Sequence, residues 1–130
     1  MNPEQLKYNP THEWVSVEQS DGKRVATIGI TDFALEQLTD LVYMDLPKVG
    51  EEVQQGEAFG EVESVKAVSN LYSPVDGRVI EVHEGIVDNL DQLGQDPYGE
   101  GWLIKVELAD DATLDHLLDH EAYRKQCSES

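Results

Sequence analysis

A repeat of period two, broken every few residues by glycine, proline, asparagine or aspartate, restricts this chain to a fold of many short strands. Trp14 to Glu18 alternates apolar and polar residues, Ser20-Asp21-Gly22-Lys23 supplies a tight Asp-Gly turn, and Arg24 to Ile30 alternates again. These two runs predict a β-hairpin. Thr31 caps a short helix predicted from Asp32 to Thr39, with Ala34, Leu38 and Leu41 on one face. Val42 to Leu46 reads as a strand stopped by Pro47. Further strands are predicted at Glu57 to Glu63, Val68 to Tyr72, Gly77 to His83 and Trp102 to Leu108. Only the end of the chain looks clearly helical. Asp110 or Asp111 caps a helix placing Leu114, Leu117, Leu118 and Ala122 on one stripe.

Short strands with little helix argue for a β-barrel or β-sandwich. A weak internal echo supports two related half-sheets. Gly50 to Gly56 and Gly77 to Val82 both open with glycine and then place valine in a strand, on either side of Glu57 to Pro74. Gly50, Gly56 and Gly77 are read as turn glycines with positive φ. Gly99 and Gly101, flanking Glu100, fit either turns or a surface that a partner contacts.

The chain has 130 residues, the size of one domain, and its nine Lys plus Arg against 27 Asp plus Glu give a net charge of −18. Such a charge repels phosphate backbones and anionic lipid, which argues against nucleic-acid and membrane-surface roles. Cys127 is the one cysteine, so no internal disulfide or cysteine-based zinc cage can form, as expected in a reducing compartment. No apolar run is long enough to span a bilayer. Met1 to Leu6 has neither an apolar signal core nor an Arg-rich amphipathic stretch, which reads as an unprocessed cytoplasmic start.

Lys66 sits between the strand entering at Glu57 and the one leaving at Val68. A lysine at such a tip projects its amine into water, and an exposed turn lysine is the ordinary explanation. The alternative is that a scarce cation, kept beside Glu61 and Glu63, offers an acylatable amine on a flexible stem for a tethered group.

Other candidates are weaker. His116 and His120, four apart, could share a helical face and a metal, but histidines on a polar face are usually solvated. Cys127 lies near the end with no base assignable to it. Asp88 to Asp91 lacks the calcium-loop ladder, and Ser64 lacks a nucleophile elbow.

Glu63-Ser64-Val65-Lys66-Ala67 resembles the lipoyl-attachment motif of the H proteins of the glycine cleavage system. Further segments are similar to that family in the same order: Leu6-Lys7-Tyr8, His12-Glu13-Trp14-Val15, Ile28 to Asp32, Leu41 to Gly50, Ser73 to Gly77, Asp96 to Leu103, and Leu114 to Tyr123. The resemblance covers nearly the whole chain. Biotin carriers of similar fold place Met on both sides of the lysine, where this chain has Val65 and Ala67. The sequence departs from the family at Asn70, where Asp is usual, at Gln92-Leu93-Gly94, at His83, and at Leu90.

The resemblance implies a mainly-β, lipoyl-domain-like barrel-sandwich hybrid with a short internal helix and a C-terminal helix. It implies one carrier domain over residues 1–130, with a core over about 24–108 and the last helix over about 111–125. Lipoate would be bound covalently to Lys66; Glu63 and Gly77 would help the lipoylating enzyme recognise the hairpin. Glu13 and Thr11 would form a cleft protecting the loaded arm. The implied role is that of a carrier, not an enzyme. It would shuttle the aminomethyl group of glycine from glycine decarboxylase, a pyridoxal-phosphate enzyme, to the tetrahydrofolate-dependent aminomethyltransferase. Dihydrolipoamide dehydrogenase would reoxidise the arm, and the carrier is expected to be a monomer. The alternative is a lipoyl carrier serving another complex or relaying lipoyl groups to other proteins.

Overall fold

The computed structural model describes residues 3–38 and 40–128 of the chain. A 3-10 turn, Pro3–Gln5, precedes β1 (Lys7–Tyr8), β2 (Glu13–Ser20), β3 (Lys23–Ile30), α1 (Asp32–Leu38) and β4 (Leu41–Asp45). Then come β5 (Glu52–Val53), β6 (Ala58–Ser64), β7 (Val68–Tyr72), β8 (Gly77–Val82), α2 (Glu84–Val87), α3 (Asp91–Gln95), β9 (Trp102–Leu108) and α4 (His120–Ser128). One sheet has the order β1-β2-β3-β9-β8-β5 and the other β4-β6-β7, and every pairing is antiparallel. The fold is mainly β, as the period-two pattern predicts.

The predicted hairpin is β2–β3, in register from Glu13 opposite Ile30 to Ser20 opposite Lys23. Asp21 and Gly22 have φ of 52° and 78°, the left-handed pair that a two-residue hairpin turn requires. Thr31 caps α1: its Oγ1 accepts from the Ala34 amide at 3.3 Å. Leu35 is the buried residue of α1, with Ala34, Leu38 and Leu41 partly buried against the core beside it. The predicted last residue of that helix, Thr39, lies outside the described residues.

The main core lies between the sheets, where Ile28, Ile104, Val106 and Val79 meet Met44, Val62 and Leu71. A second apolar cluster joins Leu6, Tyr8, Trp14 and Tyr123. Trp14 and Val15 are both buried because successive strand side chains point to opposite faces and β2 is covered on both. The two echoing segments lie side by side: Glu52 pairs with Arg78 and Val53 with Gly77, antiparallel.

The C-terminal helix departs from expectation. It begins at His120, not near residue 111. Asp119 is its cap, accepting from the Ala122 amide at 2.8 Å, while the predicted caps Asp110 and Asp111 precede an irregular segment. The leucine stripe imitates a helix because its members serve two cores: Leu117 fills the main one and Leu118 packs on the second. Leu118 also exchanges both backbone hydrogen bonds with Tyr8 at 2.7 Å, which no helix interior allows. His116 therefore precedes the helix, its Nε2 lying 2.6 Å from the Pro74 carbonyl, and shares no helical face with His120. Two short helices, α2 and α3, were not legible in the sequence. Neither has a side-chain cap, and they are held by burying Ile86 and Leu93.

Gly50 and Gly56 have φ of 97° and 86°, as turn glycines should. Gly77 does not belong with them. It opens β8 with no positive φ, and a Cβ there would stand 2.3 Å from the Glu107 carbonyl oxygen and 2.6 Å from Val106 Cγ1. Its small size permits close approach of β8 to β9. Gly77→Ala is therefore expected to cost about 1–3 kcal/mol through backbone displacement, measurable as a lower urea midpoint at unchanged slope. Gly99 and Gly101 form a tight turn over Asp96, both amides donating to its carbonyl at 3.3 and 2.9 Å.

Candidate functional site

Lys66 lies at the tip between β6 and β7, and hydrogen bonds among Ser64, Val65, Lys66, Ala67 and Asp40 fix the connection around it. The Ser64 amide donates to the Ala67 carbonyl at 2.8 Å, and the Val65 amide to the Asp40 carbonyl at 3.0 Å. Ser64 Oγ, nearly buried, accepts from the Lys66 and Ala67 amides at 3.2 and 3.1 Å. The backbone is thus held while the lysine side chain is exposed, and its ammonium makes no ion pair among the described residues. A rigid base carrying a free primary amine suits covalent attachment of a carboxylic acid through an amide, so the residues present fit lipoate.

The surroundings of the tip are apolar in a strongly acidic chain. Val42, Tyr43, Val65 and Val68 are four of the six exposed large apolar side chains among the described residues, and all adjoin this hairpin. Glu63 stands between Tyr43 and Val68 in the cross-strand row, half-buried, three residues before the lysine. Gly77 is elsewhere, in the other sheet beside Val53 and Leu108.

The second part of the site is a buried carboxyl. Asn9-Pro10-Thr11-His12 forms a β-turn, closed by the His12 amide donating to the Asn9 carbonyl at 2.9 Å, with proline at the position whose φ it pre-sets. His12 follows with φ of 80°, unusual for a side-chain-bearing residue. This reversal aims the turn at Glu13, which is 2% exposed. Its Oε1 accepts from Asn9 Nδ2 at 3.0 Å and from Thr11 Oγ1; its Oε2 accepts from the Tyr72 amide at 3.3 Å. A carboxylate offers about four lone-pair sites, so little acceptor capacity remains. Burial pushes the Glu13 carboxyl up to about 7, against the pull of these three donors and of its own backbone amide. Tyr72 ends β7, the strand that starts beside Lys66. Five residues at roughly 3.3 Å each separate the tip from the carboxyl along one strand.

A family model described as glycine cleavage H-protein matches residues 6–130. The chain belongs to this family. It is 57% identical over 129 residues to the glycine cleavage system H protein of Rhodopirellula baltica, covering 99% of this chain and 97% of the relative. It is 49% identical over 127 residues to that of Carboxydothermus hydrogenoformans, covering 98% and 95%. The crystal structure of a glycine cleavage system H protein from Mycobacterium marinum superposes with a TM-score of 0.84 at 37% identity, covering 98% of this chain and 99% of that one.

Within the H-protein family, three of this chain's departures have local explanations. His83 stacks on Trp102 with ring centroids 4.4 Å apart, and its Nδ1 lies 2.7 Å from the Trp102 carbonyl. Asn70 is exposed and donates to the Tyr72 hydroxyl at 3.4 Å, so no carboxylate stands there. Leu90 packs partly buried against the main core just before α3. Asn9, Tyr72 and Tyr123 went unread as site residues. Nothing in their local pattern distinguishes them, and only the fold assembles them around Glu13 and His12.

Proposed function

We propose that this chain is the lipoyl carrier of the glycine cleavage system, acting as one carrier domain over residues 1–130, with lipoate attached to Lys66. The observation that carries this reading is the free, exposed Lys66 amine on a hydrogen-bonded hairpin in a chain of this family. When bound, lipoate supplies a redox-active disulfide that accepts the aminomethyl group of glycine. The protein's own share is different. It tethers the arm at a fixed point, so each partner meets a high local concentration of it. It supplies no catalytic residue of its own, and the hard chemistry belongs to cofactors on the partners. Those partners are glycine decarboxylase, aminomethyltransferase and dihydrolipoamide dehydrogenase, together with the lipoylating enzyme. Glu63, beside the lysine in the Tyr43–Val68 row, is the acidic residue that the lipoylating enzyme reads. Gly77 serves that recognition indirectly, by keeping β8 close to β9. Glu13 and Thr11 form the place where the loaded arm rests. A cytoplasmic, monomeric protein suits this role, and no helix among the described residues is long and apolar enough to cross a membrane.

Intact mass after expression with lipoate present tests the reading. The expected result is one added lipoyl group, mapped by peptide analysis to Lys66, on a protein that then supports glycine-dependent turnover with the three partner enzymes. An unmodified chain, or a group on Lys48 or Lys105 instead, would overturn it.

A further inference from the structure

The loop that grips Glu13 is itself gripped from the far end of the chain. We propose that Tyr123 on α4 is a positioning residue for Glu13: its hydroxyl holds the left-handed His12, and through it the turn whose Asn9 and Thr11 side chains clasp the carboxyl. The inference rests on the reading of Glu13 as the resting place of the arm, and makes the C-terminal helix part of that site.

His12 needs an external partner because φ of 80° is a conformation that side-chain-bearing residues seldom hold unaided. Three bonds fix it. Its amide donates to Asn9, its carbonyl accepts from the Thr31 amide at 3.1 Å, and its Nδ1 lies 2.7 Å from Tyr123 Oη. The same Oη lies 2.7 Å from Thr31 Oγ1. Thr31 Oγ1 already accepts the Ala34 amide, so its own proton is available for Tyr123 Oη. The Tyr123 proton is then available for His12 Nδ1 in the tautomer that carries its hydrogen on Nε2, and burial lowers the pKa of the ring. The relay is Thr31 to Tyr123 to His12, with Cys127 also hydrogen-bonded to Tyr123. A second bond from α4 supports it: Gln126 Nε2 donates to the Pro10 carbonyl at 2.9 Å.

Tyr123 is 3% exposed, and its ring stacks on Tyr8 at 4.5 Å. Removing only the hydroxyl therefore leaves the packing in place. The titratable and charged groups acting on Tyr123 or its stacked partner Tyr8 are His12, Tyr98, His120, Cys127, Asp32 and Arg124. Glu13, by contrast, is bonded only by uncharged donors, and burial governs its titration. A change in Glu13 on losing the Tyr123 hydroxyl must then travel through the turn.

The test is Tyr123→Phe in the full chain, following the Glu13 carboxyl by carbon-13 NMR titration, with Glu13→Gln to assign its resonance. The expected result is unchanged far-ultraviolet circular dichroism with a Glu13 midpoint lower by about one pH unit or more, as the turn loosens and water reaches the carboxyl. In the lipoylated protein, loaded by glycine decarboxylase and then freed of it, the cargo half-life should fall about threefold or more. A lower melting temperature with the Glu13 midpoint unmoved would mean that Tyr123 is merely structural, overturning the proposal. Should Tyr123→Phe fail to fold, His12→Asn provides the same test, since asparagine tolerates the left-handed backbone but lacks the ring nitrogen. An unmoved Glu13 midpoint in that variant would equally overturn it. If Glu13→Gln keeps its cargo as long as wild type while Tyr123→Phe still shifts the midpoint, the positioning role stands and the resting-place reading falls.

Discussion

Lys66→Arg is expected to abolish lipoylation and all glycine-dependent carrier activity while leaving the fold intact. Arginine keeps the positive charge and a similar stem, but its guanidinium stays protonated and offers no acylatable amine. The structural cost should be small, within about 0.5 kcal/mol, because Lys66 is exposed and its ammonium has no ion-pair partner among the described residues. The turn depends on Ser64 Oγ and backbone groups, none of which the substitution touches. Intact mass, urea denaturation and turnover with the partner enzymes together separate the outcomes. Residual activity in Lys66→Arg would place the arm elsewhere; loss of folding would mean that the lysine has a structural role.

The hairpin that carries Lys66 was legible because it is local. Strand, turn and lysine follow one another within about fifteen residues, and the Ser64 bonds that rigidify the tip span only three. The β2–β3 hairpin was legible for the same reason, with Asp21-Gly22 writing the turn into two letters. The last helix misled because leucine spacing reports burial periodicity without saying whether one surface or two receive the side chains. The Glu13 site was half legible. Glu13 and Thr11 stand in the motif, but the Tyr72 amide is 59 positions away and the Tyr123 hydroxyl is 111 from His12. Nor does any glycine announce the left-handed residue, since histidine occupies it. Contacts of such separation are decided by the fold as a whole.

The same burial makes Glu13 a liability to the folded state at neutral pH. Its carboxyl is pushed up to about 7 from an ordinary value of 4.5, so between these limits the folded chain binds a proton that the unfolded chain has released. Stability from this group is therefore fully present below about pH 4.5 and is lost as pH rises through about 7. The loss amounts to about 3 kcal/mol at roughly 1.4 kcal/mol per pH unit. Glu13→Gln removes the titration without emptying the site. Its amide oxygen can accept the Tyr72 amide and its NH2 can donate to Thr11 and to a flipped Asn9. Urea denaturation of both proteins from pH 5 to pH 8 should then show the variant gaining on wild type by up to about 3 kcal/mol, the other carboxylates cancelling in the difference. Parallel curves would mean that Glu13 titrates in the ordinary carboxylate range. A gain by the variant would identify a carboxylate retained against stability, and a resting place for a cationic amine explains the retention. The arriving cation would favour the ionised carboxylate, so that Glu13 releases its proton to water, and would supply, only while cargo is present, the partner that the buried charge otherwise lacks.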